Sequence, residues 1–313
     1  MKKMQIAAQA CPICSGQDIS FVLNHNDFPG TGIWFCSPCD YWFVYPEPDV
    51  LELNRYYKET YGAKRSRYFG EEYYVLMERR AKAQLRFIKR CLSQSGMWSD
   101  LRGWKTIDWG CGVGALVASL QHAGADAVGY DSDSEAIAVG QRRWKANVQV
   151  NTSYDLSRFY NQFDLLLLSH VVEHLPNIRE TMRNLLKVLR LGGYVFIEVP
   201  NSSSEVFVAE MDPESHLHFF SRQSLTLLLT GLGVQVIACV SCGPPKVTAV
   251  GQEQTSKISH LAKRFVVGGK ALLQSTGERV GIRAKHVRTI YDGFYEHYPS
   301  DETGLWLRYV GRT

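Results

Sequence analysis

The sequence predicts an α/β protein with a doubly wound sheet, preceded by a four-cysteine zinc ribbon. Two stretches carry this prediction. Residues 1–50 contain "CPIC" and "CSPC", each a CxxC knuckle of the kind that supplies two thiolates to zinc. Further along, "WKTIDWGCGVGALVASLQHAGADAVGYDSD" follows the pattern strand, glycine turn, helix, strand. That β-α-β order opens a parallel sheet with helices on both faces.

The composition is that of an ordinary globular protein. The chain has 313 residues, of which 45% are hydrophobic and 21% charged, enough for one or two domains with a sizeable core. A net charge of +4 does not by itself indicate nucleic acid, and the basic stretches 64–90 and 257–288 are typical of solvated helix faces. No apolar run reaches the ~20 residues of a membrane helix, and the N-terminal one is too short for a signal peptide. We expect a cytoplasmic protein with reduced cysteines.

The ribbon cysteines are predicted to hold one structural zinc ion. Cys11, Cys14, Cys36 and Cys39 provide the four sulfur ligands of a tetrahedral site. Because protein fills every coordination position, none remains for a catalytic water. We expect this metal to stabilise the fold.

The glycine turn indicates the type of ligand that the sheet binds. Gly110, Gly112 and Gly114 resemble a dinucleotide loop, but the third glycine comes one residue early. Asp108, two residues before the first glycine, would repel a pyrophosphate and attract an ammonium group. Asp131, at the end of the second strand, is placed to accept hydrogen bonds from ribose hydroxyls. These features favour S-adenosylmethionine, which has an α-ammonium and no phosphate.

Further elements follow in order. "FDLLLL" is a continuous apolar run, as expected for a buried parallel strand. Pro176 and Asn177 open the next helix, which we expect to end at Gly192–Gly193, and Ser221 caps a later helix. "VQVIACV" and "GLWLRYVGR" supply the last two strands.

The motifs resemble those of class I S-adenosylmethionine-dependent methyltransferases. "DWGCGVG" followed by "VGYD" is similar to the first motif and the acidic motif of that family, and the likeness continues through "FDLLLLSHVVEHLPN", "LLKVLRLGGYVFIEVPN" and "HLHFFSRQSLTLLLTGLGV", over about 104–240. The resemblance implies a Rossmann-like seven-stranded sheet whose last strand is antiparallel. It also implies that Ser169 and His170 border the cofactor. The ribbon resembles that of a bacterial branch that includes sugar-modifying methyltransferases.

"SHVVEHLPN" also contains H-x-x-E-H, the signature of a class of zinc proteases. In that class His170 and His174 would bind a metal and Glu173 would activate its water. Two histidines four residues apart share a metal only when they lie on one helix face. Here they span a strand end and the following loop, so a zinc protease is a remote alternative.

Methyl transfer to a hydroxyl needs a base near the strand ends. Histidine titrates near neutral pH and suits that role. We rank His218 first and His216 second. These two histidines alternate along "ESHLHFFS", so both side chains face one side if the segment is extended. His174 is third.

The acceptor follows from the resemblance alone. It implies a small molecule, most plausibly a hydroxyl of a sugar or glycan precursor. The place where base N-methyltransferases carry an Asn- or Asp-Pro-Pro-aromatic turn has Ser-His-Val-Val here, which makes nucleic acid an unlikely substrate. An RNA-directed enzyme and a sugar C-methyltransferase remain alternatives, although the chain departs from ribbon-bearing C-methyltransferases, which have a large extra C-terminal domain.

The domain organisation is expected to have five parts: zinc ribbon, 1–50; helical connector or lid, 51–100; S-adenosylmethionine-binding Rossmann-like domain, 101–242; helical insertion between the last two strands, 243–303; final strand, 304–313. The insertion shows helical patterns and could roof the pocket or form a homodimer contact.

Overall fold

The computed structural model describes residues 8, 10–61, 70–96, 100–151, 156–204, 215–245 and 304–313. Nearly all of the expected helical insertion, 243–303, lies outside these residues.

The described residues form eleven strands and six α-helices. The strands are β1 (Ile19–Asn24), β2 (Gly32–Cys36), β3 (Tyr41–Tyr45), β4 (Lys105–Trp109), β5 (Asp126–Asp131), β6 (Val148–Val150), β7 (Phe163–Ser169), β8 (Leu189–Pro200), β9 (His218–Phe220), β10 (Gln235–Pro245) and β11 (Gly304–Arg312). The helices are α1 (Val50–Tyr56), α2 (Glu71–Gln94), α3 (Ala115–His122), α4 (Ser134–Trp144), α5 (Ile178–Leu186) and α6 (Arg222–Thr230).

The larger sheet has seven strands in the order β10-β11-β8-β7-β4-β5-β6. Strands β4 to β8 pair in parallel, whereas β11 runs antiparallel between β8 and β10. This confirms the predicted Rossmann-like sheet. β4 has β5 on one side and β7 on the other, so the direction of the strand order reverses at β4. In sheets of this kind, ligands bind at this point, in the crevice at the carboxyl ends of the strands.

Both faces of the sheet are covered. Alternate residues of β7 point in opposite directions: Leu165 and Leu167 join the core formed with α2 and α3, while Leu166 and Leu168 join the core formed with α5 and α6. Burial on both faces explains why "FDLLLL" has no polar alternation within it.

The ribbon forms a second sheet, whose fourth strand comes from the segment of chain between β8 and β10 of the larger sheet. β1, β2 and β3 pair antiparallel, and β9 adds to the free edge of β3 in the order β1-β2-β3-β9. The ribbon side chains of Cys11, Tyr41 and Phe43 share a core with α5 and α6. The ribbon is therefore packed against the larger sheet's domain.

The local signals for helix boundaries have mixed outcomes. Ser221 caps α6 through a reciprocal pair of hydrogen bonds with Ser224, as predicted. Asn177 precedes α5, also as predicted. The expected helix end at Gly192–Gly193 is wrong, because α5 stops at Leu186 and both glycines lie inside β8. Among the residues that the structure describes, no helix is both long and apolar enough to cross a membrane.

Candidate active site

Two glycines of the loop between β4 and α3, Gly110 and Gly114, have no room for a side chain. Gly110, Gly112 and Gly114 have φ values of 76°, 55° and 73°, in the left-handed region that glycine adopts most readily. A Cβ atom on Gly110 would lie 2.4 Å from Cγ2 of Val171, and one on Gly114 would lie 2.7 Å from Cγ1 of Val148. The loop therefore needs glycine for both conformation and space, and its bare backbone lies at the amino end of a helix.

Asp131 fixes this loop against the end of β5. Its Oδ2 accepts a hydrogen bond from the amide of Gly112 at 2.7 Å, and its Oδ1 accepts one from the amide of Asp133 at 2.9 Å. Each carboxylate oxygen keeps a second lone pair, so Asp131 can also accept hydrogen bonds from a pair of ribose hydroxyls.

Asp108 is a buried acid, one oxygen of which has no hydrogen-bond donor among the described residues. It is 2% exposed, and its Oδ1 has no hydrogen-bond partner among the described residues. Burial and the charge of Asp131 raise its pKa to about 7, against the lowering effect of Arg80. A ligand ammonium would supply the missing positive donor. This set of groups therefore fits S-adenosylmethionine: bare glycines, an acid to accept from the amine and a second acid to accept from the ribose.

A buried ionic network lies next to this crevice. Glu198 of β8 accepts hydrogen bonds from Arg80 and Gln84 of α2 at 2.7 and 2.9 Å, and it pairs with Arg308 of β11 at 2.5 Å. Burial would raise the pKa of Glu198, but the two guanidinium groups and His170 hold it well below the usual value. Ser169, predicted to contact the cofactor, accepts hydrogen bonds from Gln84 at 2.8 Å and Arg80 at 3.2 Å. Its hydroxyl thus helps to hold α2 over the strand ends.

His170 lies between two buried carboxylates. Its backbone φ is 55°, its Nδ1 is 3.2 Å from Oε1 of Glu173, and its Nε2 is 3.6 Å from Oε1 of Glu198. β7 ends at the preceding residue, and Val172–His174 forms a single 3-10 turn. His170 and His174 therefore do not share an α-helix face, as the zinc protease alternative would require.

Glu173, His174 and His216 converge beside the crevice. Their ligand-type atoms all lie within 4.8 Å of one another, so they could also hold a metal ion. The two imidazole rings meet edge to face at 4.7 Å. Burial would raise the pKa of Glu173, but His170, His174 and His216 lower it to about 2. Burial, with a contribution from His174, lowers the pKa of His216 to about 3. The cluster thus contains an ionised carboxylate and a neutral His216 at pH 7.

His218, ranked first as the base, has both ring nitrogens occupied. It is 4% exposed in β9. Nε2 lies 2.8 Å from the carbonyl oxygen of Leu175, and Nδ1 lies 2.6 Å from the hydroxyl of Tyr41. A carbonyl can only accept, so Nε2 carries the proton and Tyr41 donates to Nδ1. This placement argues against His218 as the base, because neither nitrogen is left for a substrate.

The four ribbon cysteines come together as predicted. Their sulfur atoms all lie within 4.8 Å of one another, and those of Cys14 and Cys36 are 3.7 Å apart. The amides of Ile13 and Gly16 each approach a knuckle sulfur at 3.4 Å, which favours thiolates. Four thiolates at this spacing fit tetrahedral zinc.

The sequence did not single out the network around Glu198. A signal was nevertheless present: "YVFIEV" and "LWLRYV" each carry one charged residue in an otherwise apolar strand. Buried charges require partners, and an acid in one strand with a base in another is a recognisable pair. Gln84 gave no comparable signal, since polar residues are common on helices.

The fold and this crevice together define an S-adenosylmethionine-dependent methyltransferase. The family model described as "Methyltransferase domain" matches residues 75–238, more than half of the chain. The chain therefore belongs to this methyltransferase family.

Curated relatives match over part of their length. A ubiquinone biosynthesis O-methyltransferase from Erwinia tasmaniensis is 30% identical over 113 residues, which is 34% of this chain and 46% of that protein. One from Rhizobium etli is 31% identical over 120 residues, 35% of this chain and 48% of that protein. The match thus spans about half the length of these relatives.

Solved structures of methyltransferases are similar to this chain at low sequence identity. A S-adenosylmethionine-dependent methyltransferase from Thermotoga maritima, described as a possible histamine N-methyltransferase, has a TM-score of 0.49 and 13% identity, covering 83% of this chain and 98% of its own. The magnesium protoporphyrin IX methyltransferase of Synechocystis, with bound S-adenosylhomocysteine, has a TM-score of 0.46 and 16% identity, covering 64% and 94%.

Proposed function

We propose that this protein transfers a methyl group from S-adenosylmethionine to a hydroxyl of a small molecule, and that the cluster of Glu173, His174 and His216 takes up the hydroxyl proton. The convergence of these three groups next to the glycine loop carries the proposal. Val171, two residues before Glu173, lies against Gly110. The cluster therefore borders the place where the cofactor's reactive end is expected.

The chemistry requires one proton acceptor. S-adenosylmethionine, when bound, supplies the methyl group and leaves as S-adenosylhomocysteine. The acceptor oxygen forms a bond to the methyl carbon as the sulfur–carbon bond breaks, and the hydroxyl proton passes to an imidazole. Two imidazoles at 4.7 Å disfavour a double positive charge. The pair therefore takes one proton, and the ionised Glu173 stabilises the imidazolium as it forms.

Within the pair, we propose His216 as the base. Burial lowers its pKa to about 3, so it is neutral before the reaction, and the ionised Glu173 stabilises the imidazolium that forms when it takes the proton. His174 donates from Nδ1 toward the carbonyl of Ser215 at 3.4 Å and lies edge-on to Tyr57 at 5.8 Å. These contacts suit a residue that orients the pair and contributes to the wall of the acceptor pocket.

Two kinds of acceptor follow from separate observations. The ribbon's resemblance to that of sugar-modifying enzymes favours a sugar or glycan-precursor hydroxyl. The relatives named for ubiquinone biosynthesis favour oxygen as the methylated atom and make a quinone precursor the second candidate. We further propose that the four ribbon cysteines hold structural zinc.

The test uses S-adenosylmethionine with a trideuterated methyl group. Purified protein is incubated with nucleotide sugars and, separately, with hydroxylated quinone precursors, and products are found by the mass of the labelled methyl group. Replacing His216 by Ala should reduce transfer about a hundredfold, since general-base catalysis contributes on the order of 10²–10⁴. His122→Ala, on the outer end of α3, is the matched control. Full transfer by both His216→Ala and His174→Ala would exclude the proposed proton acceptors.

A further inference from the structure

Two hydrogen bonds in series link Tyr41 of the cysteine ribbon to Leu175, the residue next to His174 of the histidine cluster. Tyr41 lies directly across the β2–β3 ladder from Cys36 and two residues after Cys39, so its backbone is fixed by two of the four cysteines. Its hydroxyl donates to Nδ1 of His218 at 2.6 Å. His218 in turn donates from Nε2 to the carbonyl of Leu175 at 2.8 Å, and Leu175 closes the turn that carries the cluster.

A second connection runs through the backbone. The amide of Val44 in β3 donates to the carbonyl of Leu217, and the amide of Leu217 donates to the carbonyl of Glu173, both at 2.9 Å. Leu217 is fully buried and directly follows His216. The edge of the ribbon thus helps to set the distance between the segment before β9, which carries His216, and the turn that carries Glu173.

The side-chain link has a fixed polarity and excludes water. Tyr41 is fully buried and its ring stacks on the imidazole of His218 at 6.1 Å. Because the Leu175 carbonyl can only accept, the order of donors is defined from Tyr41 to Leu175. If Tyr41 moved, its hydroxyl and Nδ1 of His218 would lose their hydrogen bond while both stayed buried, which is unfavourable. The contact therefore fixes the position of His218 relative to Tyr41 in addition to packing against it.

We propose that Tyr41 and His218 are positioning residues that couple the four-cysteine site to methyl transfer: the metal-loaded ribbon holds Tyr41, and Tyr41 through His218 holds Glu173, His174 and His216 in register. Zinc occupancy of the ribbon thereby controls the geometry of a site to which it contributes no ligand. The inference rests on the proposed function only for its consequence in catalysis; the coupling itself is a property of the fold.

Histidine-selective ¹⁵N labelling provides a readout that is independent of the acceptor. The protein has nine histidines, and long-range ¹H–¹⁵N spectra report the tautomer of each ring. In the zinc-loaded protein we expect His218 as the Nε2–H tautomer. Tyr41→Phe should shift the resonances of His174 and His216 as well as those of His218, and removal of zinc by a chelator should shift the same signals in the same direction.

The matched control is Tyr45→Phe, which removes a hydroxyl from the same strand at a half-buried residue that pairs with Gly32. It should leave all three histidines unchanged. His218→Gln, which keeps one acceptor and one donor, should retain the His174 and His216 signals better than His218→Leu. Unchanged His174 and His216 resonances in both Tyr41→Phe and the zinc-depleted protein would overturn the coupling.

Kinetics separate this inference from the proposed function. With an acceptor from the panel above, Tyr41→Phe should lower single-turnover transfer about tenfold, because small displacements at a reacting centre are costly, while the affinity for S-adenosylhomocysteine stays unchanged. If the histidine resonances shift together in Tyr41→Phe but no acceptor is methylated, the proposed function is contradicted and the coupling still holds. Transfer at the wild-type rate in Tyr41→Phe and His218→Leu would overturn the control of catalysis by the ribbon.

Discussion

Arg308 of β11 lies directly across the ladder from Glu198 of β8, and both side chains are fully buried in the seven-stranded sheet. The same carboxylate binds Arg80 of α2. One acid therefore ties the final strand and the helix before the glycine loop to the end of the parallel sheet.

Replacing Glu198 by Gln should lower the free energy of unfolding by about 3–5 kcal/mol, since it leaves the buried guanidinium of Arg308 and the partly buried one of Arg80 without their counter-charge. Urea unfolding at pH 7 measures this. The surface pair of Arg102 and Asp100, at 3.0 Å, is the control; Asp100→Asn should change stability by less than about 1 kcal/mol. Equal effects of the two substitutions would contradict the role of the buried network.

Gly110→Ala should abolish cofactor binding because its Cβ would meet Val171 at 2.4 Å. Gly103 is a matched control: its φ of 74° is close to the 76° of Gly110, but nothing lies within 4 Å of its Cβ position. Gly103→Ala carries the same backbone strain, about 1–2 kcal/mol, without the clash. Binding of S-adenosylhomocysteine by Gly103→Ala, together with partial rescue of Gly110→Ala by Val171→Ala, would confirm that space at the loop is decisive.

Stability should fall as the pH drops below about 6.5, in part because of His218. Burial lowers the pKa of His218 to about 4, so between pH 6.5 and 4 the unfolded chain binds a proton that the folded protein does not, and acid favours unfolding. The loss reaches about 3 kcal/mol at 1.36 kcal/mol per pKa unit. His218→Gln should show a shallower decline over this window.

Asp108 works in the opposite direction. Its raised pKa of about 7 means that the folded protein binds the extra proton between about pH 7 and 4, which favours folding in acid. This contribution is common to wild type and His218→Gln and cancels in their difference. A difference that does not vary with pH would contradict the burial of a neutral His218.

Zinc should be present at one ion per chain and should be lost from Cys36→Ser. The buried Cys91 lies in α2 outside the cluster, so Cys91→Ser is the control and should retain the metal. Because structural zinc contributes directly to folding, a chelator should lower the melting temperature of the wild type. Stoichiometric zinc in Cys36→Ser would refute the four-cysteine site.

The sequence was sufficient for elements whose signals are local. Strands β4 and β5, the glycine turn between them and the Ser221 cap follow from patterns within about ten residues of chain, where periodicity and cap chemistry act. The four cysteines were equally visible because zinc imposes both the residue type and the spacing.

Long-range pairings were not predictable in the same way. β9 has only three residues and pairs with β3, which is far away in the chain. A strand this short has too few residues for alternating hydrophobicity to predict it. The rank of His218 was set by alternation along "HLHFF", which cannot show that Tyr41 and Leu175 occupy both ring nitrogens. The early end of α5 reflects tertiary pairing of Leu189 with Phe163, which draws the chain into β8 before the glycines are reached.

The most direct test of the account is calorimetric titration of the zinc-loaded protein with S-adenosylhomocysteine, with NAD as control and Asp131→Ala alongside. We expect one site per chain with micromolar affinity, no binding of NAD, and affinity reduced tenfold to a hundredfold in the variant, on the order of 1.4–3 kcal/mol for lost hydrogen bonds to charged acceptors. A folded, zinc-loaded protein that binds NAD, or that binds S-adenosylhomocysteine equally well without Asp131, would contradict the placement of the cofactor at the ends of β4 and β5.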